Sequence, residues 1–142
     1  MVNLDDVRLL KLPCHEDPRG LLFPIEFSSL PFIPERIFYV TEVSDRKLRG
    51  EHSHYKTSQV LICVKGECRV ICKDGLQTKE WVLKKGDDAL LIPSMIWDEQ
   101  IYSSKDTVLL VLANTSYDKL DYIEDWEEYC KIMDKIRGNN VL

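Results

Sequence analysis

The stretch Arg49-Gly50-Glu51-His52-Ser53-His54, continued through Gln59-Val-Leu-Ile-Cys-Val-Lys65-Gly66-Glu-Cys-Arg-Val-Ile-Cys-Lys73-Asp74-Gly75, decides how the chain folds. Short runs rich in β-branched residues alternate there with Lys65-Gly66 and Asp74-Gly75, pairs short enough for tight hairpin connections. The same pattern continues outward on both sides. Strands are predicted at Val7 to Leu12, Leu21 to Phe27, Arg36 to Val43, Gly50 to His54, Ser58 to Val64, Glu67 to Lys73, Leu76 to Leu83, Ala89 to Ile92, Trp97 to Tyr102 and Thr107 to Ala113, with a further turn at Lys85-Gly86-Asp87-Asp88. An antiparallel meander is the expected local order.

Near the end the period changes. Tyr122, Trp126, Tyr129, Ile132, Met133 and Ile136 recur at helical spacing, with acidic residues (Glu124-Asp-Trp-Glu-Glu128) at the start and Lys135 and Arg137 at the end, where each suits the helix dipole. A helix over about residues 122–137, stopping near Gly138, is predicted. Around ten strands and one helix cannot lie in a single flat sheet without curling, so a closed barrel or a two-sheet jelly roll is the economical architecture. The expected fold is all-β, one domain over residues 1–142, with a small barrel over about 7–115 and a C-terminal α-helix.

Composition narrows the function classes. At 142 residues, 44% hydrophobic and 30% charged, the chain is ordinary globular material with no need of a staple. Nineteen basic against 24 acidic residues leave a net charge of −5 with no long run of one sign, which argues against a nucleic-acid partner. The five cysteines, at 14, 63, 68, 72 and 130, include no Cys-x-x-Cys pair, so neither a disulfide framework nor a structural zinc site is indicated. A reducing cytoplasm is the expected compartment. No apolar run approaches the ~18–20 residues of a membrane span, and no membrane partner is expected.

The chemistry centres on two of the three histidines. Residues two apart on a strand project from one face, so His52 and His54 point together. Arg49, three before His52, faces the other way in an ideal strand unless Gly50 marks a bulge that re-aims it. His15 falls in a predicted loop and is read as solvated.

The order His52-x-His54, Gln59, Gly66, then Gly86, Pro93, Met95 and Asp98 resembles the two motifs of the cupin superfamily, small jelly-roll barrels in which a His-x-His, a Glu and a later His often hold a metal. Two of the four ligand positions differ here: Gln59 stands where Glu is usual and Asp98 where His is usual. Two histidines with Asp98 would make a two-His, one-carboxylate set of the iron type. Gln59 contributes no charge, and no metal is expected.

A closer resemblance covers residues 7–129. Asp17-Pro-Arg19-Gly20, Arg36-Ile-Phe-Tyr39-Val, Arg49-Gly50-Glu-His52-Ser-His54, Gln59-Val-Leu-Ile, Pro93-Ser-Met-Ile-Trp97, Val108-Leu-Leu-Val-Leu-Ala113 and Tyr117-Asp-x-x-Asp121-Tyr122-Ile123 together resemble the dTDP-4-dehydro-6-deoxyglucose 3,4-ketoisomerase family, the WxcM-like sugar-isomerase cupins. The resemblance implies a dTDP-sugar substrate, no cofactor, a homodimer, and a place in making deoxyamino sugars for surface polysaccharides. It implies His52 as the base at C3 and His54 as its partner, either an orienting group or the acid that reprotonates C4. It further implies Arg19 and Arg49 as cations for the diphosphate or the enolate oxygen, and Tyr39, Gln59 and Asp98 as substrate-binding residues. Many members carry Trp-His-Glu where this chain has Trp97-Asp98-Glu99, and Tyr where it has Leu91; either Asp98 fills a supporting role, holding a histidine or the sugar hydroxyls, or the pocket has a different substrate or has lost activity. The competing readings are a metal-dependent cupin oxygenase and a non-catalytic nucleotide-sugar-binding cupin.

Overall fold

In a computed structural model, which describes residues 2–44, 47–86 and 89–139, twelve strands and one helix follow in order. They are β1 (Arg8–Leu10), β2 (His15–Asp17), β3 (Gly20–Leu22), β4 (Arg36–Val40), β5 (Leu48–His54), β6 (Gln59–Lys65), β7 (Glu67–Lys73), β8 (Thr78–Lys84), β9 (Ala89–Ile92), β10 (Trp97–Tyr102), β11 (Val108–Ala113), β12 (Tyr122–Ile123) and α1 (Trp126–Asn139). Two five-stranded sheets form, in the orders β1-β9-β6-β11-β4 and β12-β5-β10-β7-β8, with β2 and β3 pairing separately. The paired strands run antiparallel. Leu61, Cys63, Leu90, Ile92, Leu109 and Val111 of the first sheet meet Cys68, Val70, Cys72, Leu83 and Tyr102 of the second in one core, so the sheets close face to face as the expected jelly roll.

The first sheet is apolar on both faces. Val60, Ile62, Ala89, Leu91 and Leu112 point outward, and Leu10, Leu12, Ile25, Leu30 and Phe32 cover them. A strand buried on both sides reads as a continuous apolar run, which is why β6 and β11 were legible.

Three expectations shift. The predicted strand Leu21 to Phe27 shrinks to β3, because Pro24 has no N–H to give a ladder, and Phe27–Ser29 forms one 3₁₀ turn instead. Its partner β2 consists of His-Glu-Asp, exposed throughout, and so carried no strand pattern; His15 lies on this strand rather than in a loop. The turn between them is tightened by Asp17 Oδ1, which accepts from the Arg19 N–H at 2.8 Å, with Gly20 at φ +135°. Lastly, Tyr122–Ile123 extends along the edge of β5 as β12, so the helix starts at Trp126, capped by Asp125 Oδ1 accepting the Glu128 N–H at 2.9 Å. It continues through Gly138 to Asn139. Asp87 and Asp88 of the expected turn lie outside the described residues.

The helix is an anchor for the second sheet. Tyr129 and Met133 are fully buried against Trp97 and Ile123, and the Tyr129 hydroxyl reaches the carbonyl oxygens of Met95 at 2.8 Å and Lys73 at 3.1 Å. Trp97 and Trp126 meet edge to face at 5.2 Å in this layer. Among the described residues no helix is long and apolar enough to cross a membrane.

Candidate active site

A bulge on β5 assembles the site. Asp98 of β10 stands opposite His52, but the next residue, Glu99, stands opposite Gly50, so Glu51 is the extra residue. Gly50 at φ +78° and Glu51 at φ +55° make the kink. Beyond it Arg49 pairs with Gln100, and the two-residue alternation is reset. Arg49 and His52, three apart, therefore share the inner face. They line a cavity of about 240 Å³ with Gly50, Gln59, Gln100, Tyr122 and the apolar wall Phe38, Val40 and Val111.

Behind that lining runs a directed chain of hydrogen bonds along β10. The Tyr102 hydroxyl donates to Gln100 Oε1 at 2.8 Å, and Gln100 Nε2 donates to Asp98 Oδ2 at 3.0 Å. The other carboxylate oxygen of Asp98, Oδ1, faces His52 Nε2 at 3.8 Å. Asp98 is 1% exposed and absent from the cavity lining. Burial pushes its carboxyl above the usual range, while the His52 charge and the Gln100 amide pull it back. An isolated buried carboxylate costs several kcal/mol to keep charged, so the state of Asp98 depends on these two neighbours.

His54 lies deeper, 4% exposed. Its ring centroid is 4.8 Å from that of His52 and 4.5 Å from that of Tyr122, which also contacts His52 at 5.3 Å. Burial, reinforced by the charges of His52 and Arg36, lowers its pKa to about 4 against a partial opposing pull from Asp121. His54 is thus neutral at pH 7. The loop after it is pinned by Asp121, whose carboxylate accepts from the Lys56 N–H at 2.8 Å and from both the N–H and hydroxyl of Thr57.

His52, Arg49 and Gln59 thus converge as the sequence predicted, with His54 behind them. Asp98 converges too, but as a buried group behind His52 rather than on the substrate surface. Tyr39 and Arg19 do not converge within this chain. Tyr39 is 69% exposed, because β4 alternates with Arg36, Phe38 and Val40 inward, so its odd-numbered neighbour faces out. The Arg19 side chain is 90% exposed and held by Asp17 at 2.6 Å. Its hairpin lies beside residues 62–64, at the far end of β6 from Gln59; five residues at ~3.3 Å each is about 16 Å. Leu91 belongs to the outer apolar layer, remote from the histidines.

Sequence reasoning missed Arg36 and Gln100. Arg36 points inward beside the aromatic faces of Phe38 and Tyr117, at 5.1 and 5.5 Å, and its Nε is buried without a hydrogen-bond partner among the described groups. Strand parity alone would have found it, since Arg36 and Tyr39 cannot share a face. Among the described residues, no group of three or more His, Cys, Asp or Glu is arranged to hold a metal ion. An imidazole, a cation and amide groups lining one small cavity, with neutral His54 behind and Arg36 beside it, can bind an anion and move protons at carbon next to a carbonyl.

Comparison with known proteins points the same way. The model of the FdtA family, described as WxcM-like, C-terminal, matches residues 5–134. The TDP-4-oxo-6-deoxy-α-D-glucose-3,4-oxoisomerase of Aneurinibacillus thermoaerophilus is 37% identical over 121 residues, 84% of this chain and 87% of that protein. The sugar 3,4-ketoisomerase QdtA of Thermoanaerobacterium thermosaccharolyticum, solved in complex with TDP, superposes with a TM-score of 0.89 at 36% identity over 94% of this chain and 98% of that one. WlaRA of Campylobacter jejuni, a TDP-fucose-3,4-ketoisomerase, superposes with a TM-score of 0.83 at 32% identity over 92% and 98%.

Proposed function

The chain belongs to the FdtA, WxcM-like family, and on that footing we propose that it is a sugar-nucleotide 3,4-ketoisomerase converting dTDP-4-keto-6-deoxyglucose to a dTDP-3-keto-6-deoxyhexose. The observation that carries the reading is the bulge, which sets Arg49 and His52 side by side on one cavity wall. His52 takes the proton from C3, the C–H electrons forming the enediolate as the C4 carbonyl oxygen gains charge. A proton is then delivered to C4, the C3 hydroxyl passes its proton to the C4 oxygen, and the ketone stands at C3 with a hydroxyl at C4. Atoms and electrons balance without a cofactor. The C3 ketone is the group an amine-transferring enzyme needs, in keeping with deoxyamino-sugar synthesis.

Arg49 and Arg36 face the diphosphate and the enolate oxygen, Gln59 and Gln100 hold sugar hydroxyls, and neutral His54 orients His52. Arg19 and Tyr39 serve the site from a second copy. The exposed β2–β3 hairpin carries Arg19 beside exposed Leu21 and Leu22, and Ile37 and Tyr39 are exposed on the outer face. Apolar surface so placed favours a homodimer, and sedimentation at the mass of one chain would refute it. Five cysteines, odd in number and without a Cys-x-x-Cys pair, suit a cytoplasmic enzyme.

Purified protein given dTDP-4-keto-6-deoxyglucose in deuterium oxide is expected to yield the 3-keto isomer carrying solvent deuterium at C4. His52→Asn is expected to lower kcat by ~10³-fold, within the range of a positioned base, with the fold retained. Neither isomer nor exchange from the intact protein would refute the isomerase.

A further inference from the structure

We infer that Asp98, held by the Gln100 and Tyr102 chain, is the positioning residue of His52, fixing which ring nitrogen carries the proton and balancing the charge the ring acquires. The kinetic side of this inference rests on the ketoisomerase reading; the structural side does not.

The register of two strands makes the pair. Asp98 and His52 are direct cross-strand partners, and the bulge that aims His52 also makes room for Asp98. A Cβ on Gly50 would lie 3.0 Å from the Asp98 carbonyl oxygen and 3.1 Å from Oδ2. Glycine at 50 and aspartate at 98 are therefore matched to each other, and Asp98, itself outside the cavity lining, contacts His52 and Gln100, which line it.

The hydrogen bonds give the chain a direction. The Tyr102 hydroxyl occupies the amide oxygen of Gln100, so the amide can turn only its N–H toward Asp98. With Oδ2 taken, Oδ1 remains as an acceptor facing His52 Nε2. Across this 3.8 Å approach, longer than a hydrogen bond, the carboxylate charge favours the ring proton on Nε2, which leaves Nδ1 with the lone pair that accepts the C3 proton. A histidine with a carboxylate on one side of its ring is biased toward one tautomer and one orientation.

The surroundings explain why such a partner is needed. His52 is faced by Arg49 and His54 from its own strand, by Gln100 and Asp98 from β10, by Tyr122 from β12 and by Gln59 from β6, with Arg36 of β4 close to His54. Arg49 on the same cavity wall and Arg36 beside His54 place cationic groups around the histidine pair. Asp121, the carboxylate on the other side, is committed to Lys56 and Thr57. Asp98 is the group placed to offset the cations as His52 becomes imidazolium.

The test is Asp98→Asn, read first by ¹⁵N NMR of the imidazoles without substrate. With three histidines in the chain, His52→Asn assigns the signals. The expected result is a Nε2-protonated His52 in the parent protein and a tautomer mixture in the variant. With substrate, kcat is expected to fall by ~10²-fold with KM changed less than about threefold, and the acid limb of kcat/KM to move to lower pH, since removing a negative charge disfavours the imidazolium. Tyr102→Phe, which frees the Gln100 amide, is expected to give a smaller change in the same sense, and it keeps the test alive if Asp98→Asn does not fold. An unchanged His52 tautomer, or a raised KM at unchanged kcat, would overturn the inference and make Asp98 a hydroxyl ligand or packing group. A parent protein that fails to isomerise yet shows the tautomer change would remove the ketoisomerase and support the pair.

Discussion

The strand pair β5–β10 and the strand pair β6–β11 are neighbours across one barrel, yet they follow opposite rules. β6 and β11 are paired over six positions with a register shift only at Val108, and Gln59 apart, their buried residues on either face are apolar or cysteine. β5 and β10 are interrupted by a bulge at the site itself and turn Arg49, His52, His54, Asp98, Gln100 and Tyr102 inward. The lesson is a division of work between walls. One wall supplies the burial that holds the barrel, at ~25 cal/mol per Å² of apolar surface. The other uses that stability to hold polar groups in low dielectric, where each must be satisfied by a neighbour.

If this division is right, truncating the apolar wall should damage stability and spare chemistry. Leu109 of β11 is 0% exposed in the common core and does not line the cavity. Leu109→Ala is expected to lower unfolding free energy by ~2–5 kcal/mol, measured by urea denaturation, with kcat within about twofold of the parent at a temperature where both are folded. A large loss of kcat in the folded variant would break the comparison, since the wall would then be shaping the site as well.

The polar wall should reveal itself through pH. His54 titrates at about 4 in the folded protein, lowered chiefly by burial, against ~6.5 in an unfolded chain. The unfolded state thus binds the extra proton between those values, and stability rises with pH there. The full contribution is present above pH 6.5 and is lost as pH falls through 4, a span worth roughly 3 kcal/mol. Denaturation midpoints from pH 4 to 7 are expected to be flatter in His54→Phe than in the parent. An equal slope in both would show that His54 is hydrated and that this wall is not dry.

How much of this could be read from the chain follows the same division. The β6, β9 and β11 strands were legible because burial writes itself as near-continuous apolar runs, and β7 because it alternates between two Gly-containing turns. His52 and His54 were legible because a shared face needs only parity. Arg49 was legible as a conditional, resolved by the glycine that permits the bulge. The hairpin β2–β3 was not, because its stability comes from a local turn around Asp17 and Gly20 and not from a buried face. Tyr39 does not reach the cavity of its own chain, since the motif named it while parity turns Arg36 inward and Tyr39 out. Asp98 was found as a site residue, with a histidine and the sugar hydroxyls both open as what it holds. Its depth depends on which strand lies opposite, and a single sequence does not state pairing.

The smallest predicted effect on stability bears on the junction itself. Gly50→Ala adds one methyl group to the polar wall, at φ +78° and against Asp98 atoms at 3.0 and 3.1 Å. The left-handed backbone alone costs an alanine about 1 kcal/mol, and the contact with the backbone carbonyl of Asp98 cannot be relieved by a rotamer change. A loss of ~1–3 kcal/mol is expected, less than for Leu109→Ala at its upper range, because the neighbouring core is untouched. Activity should respond out of proportion. Pushing Asp98 away from β5 lengthens its approach to His52, already 3.8 Å, so kcat is expected to fall ~10-fold or more, since small misplacements of a catalytic group are costly. The ratio of activity loss to stability loss is the measure: high for Gly50→Ala and near zero for Leu109→Ala. Equal ratios for the two variants would mean that the bulge is a packing device, with no share in aiming the base.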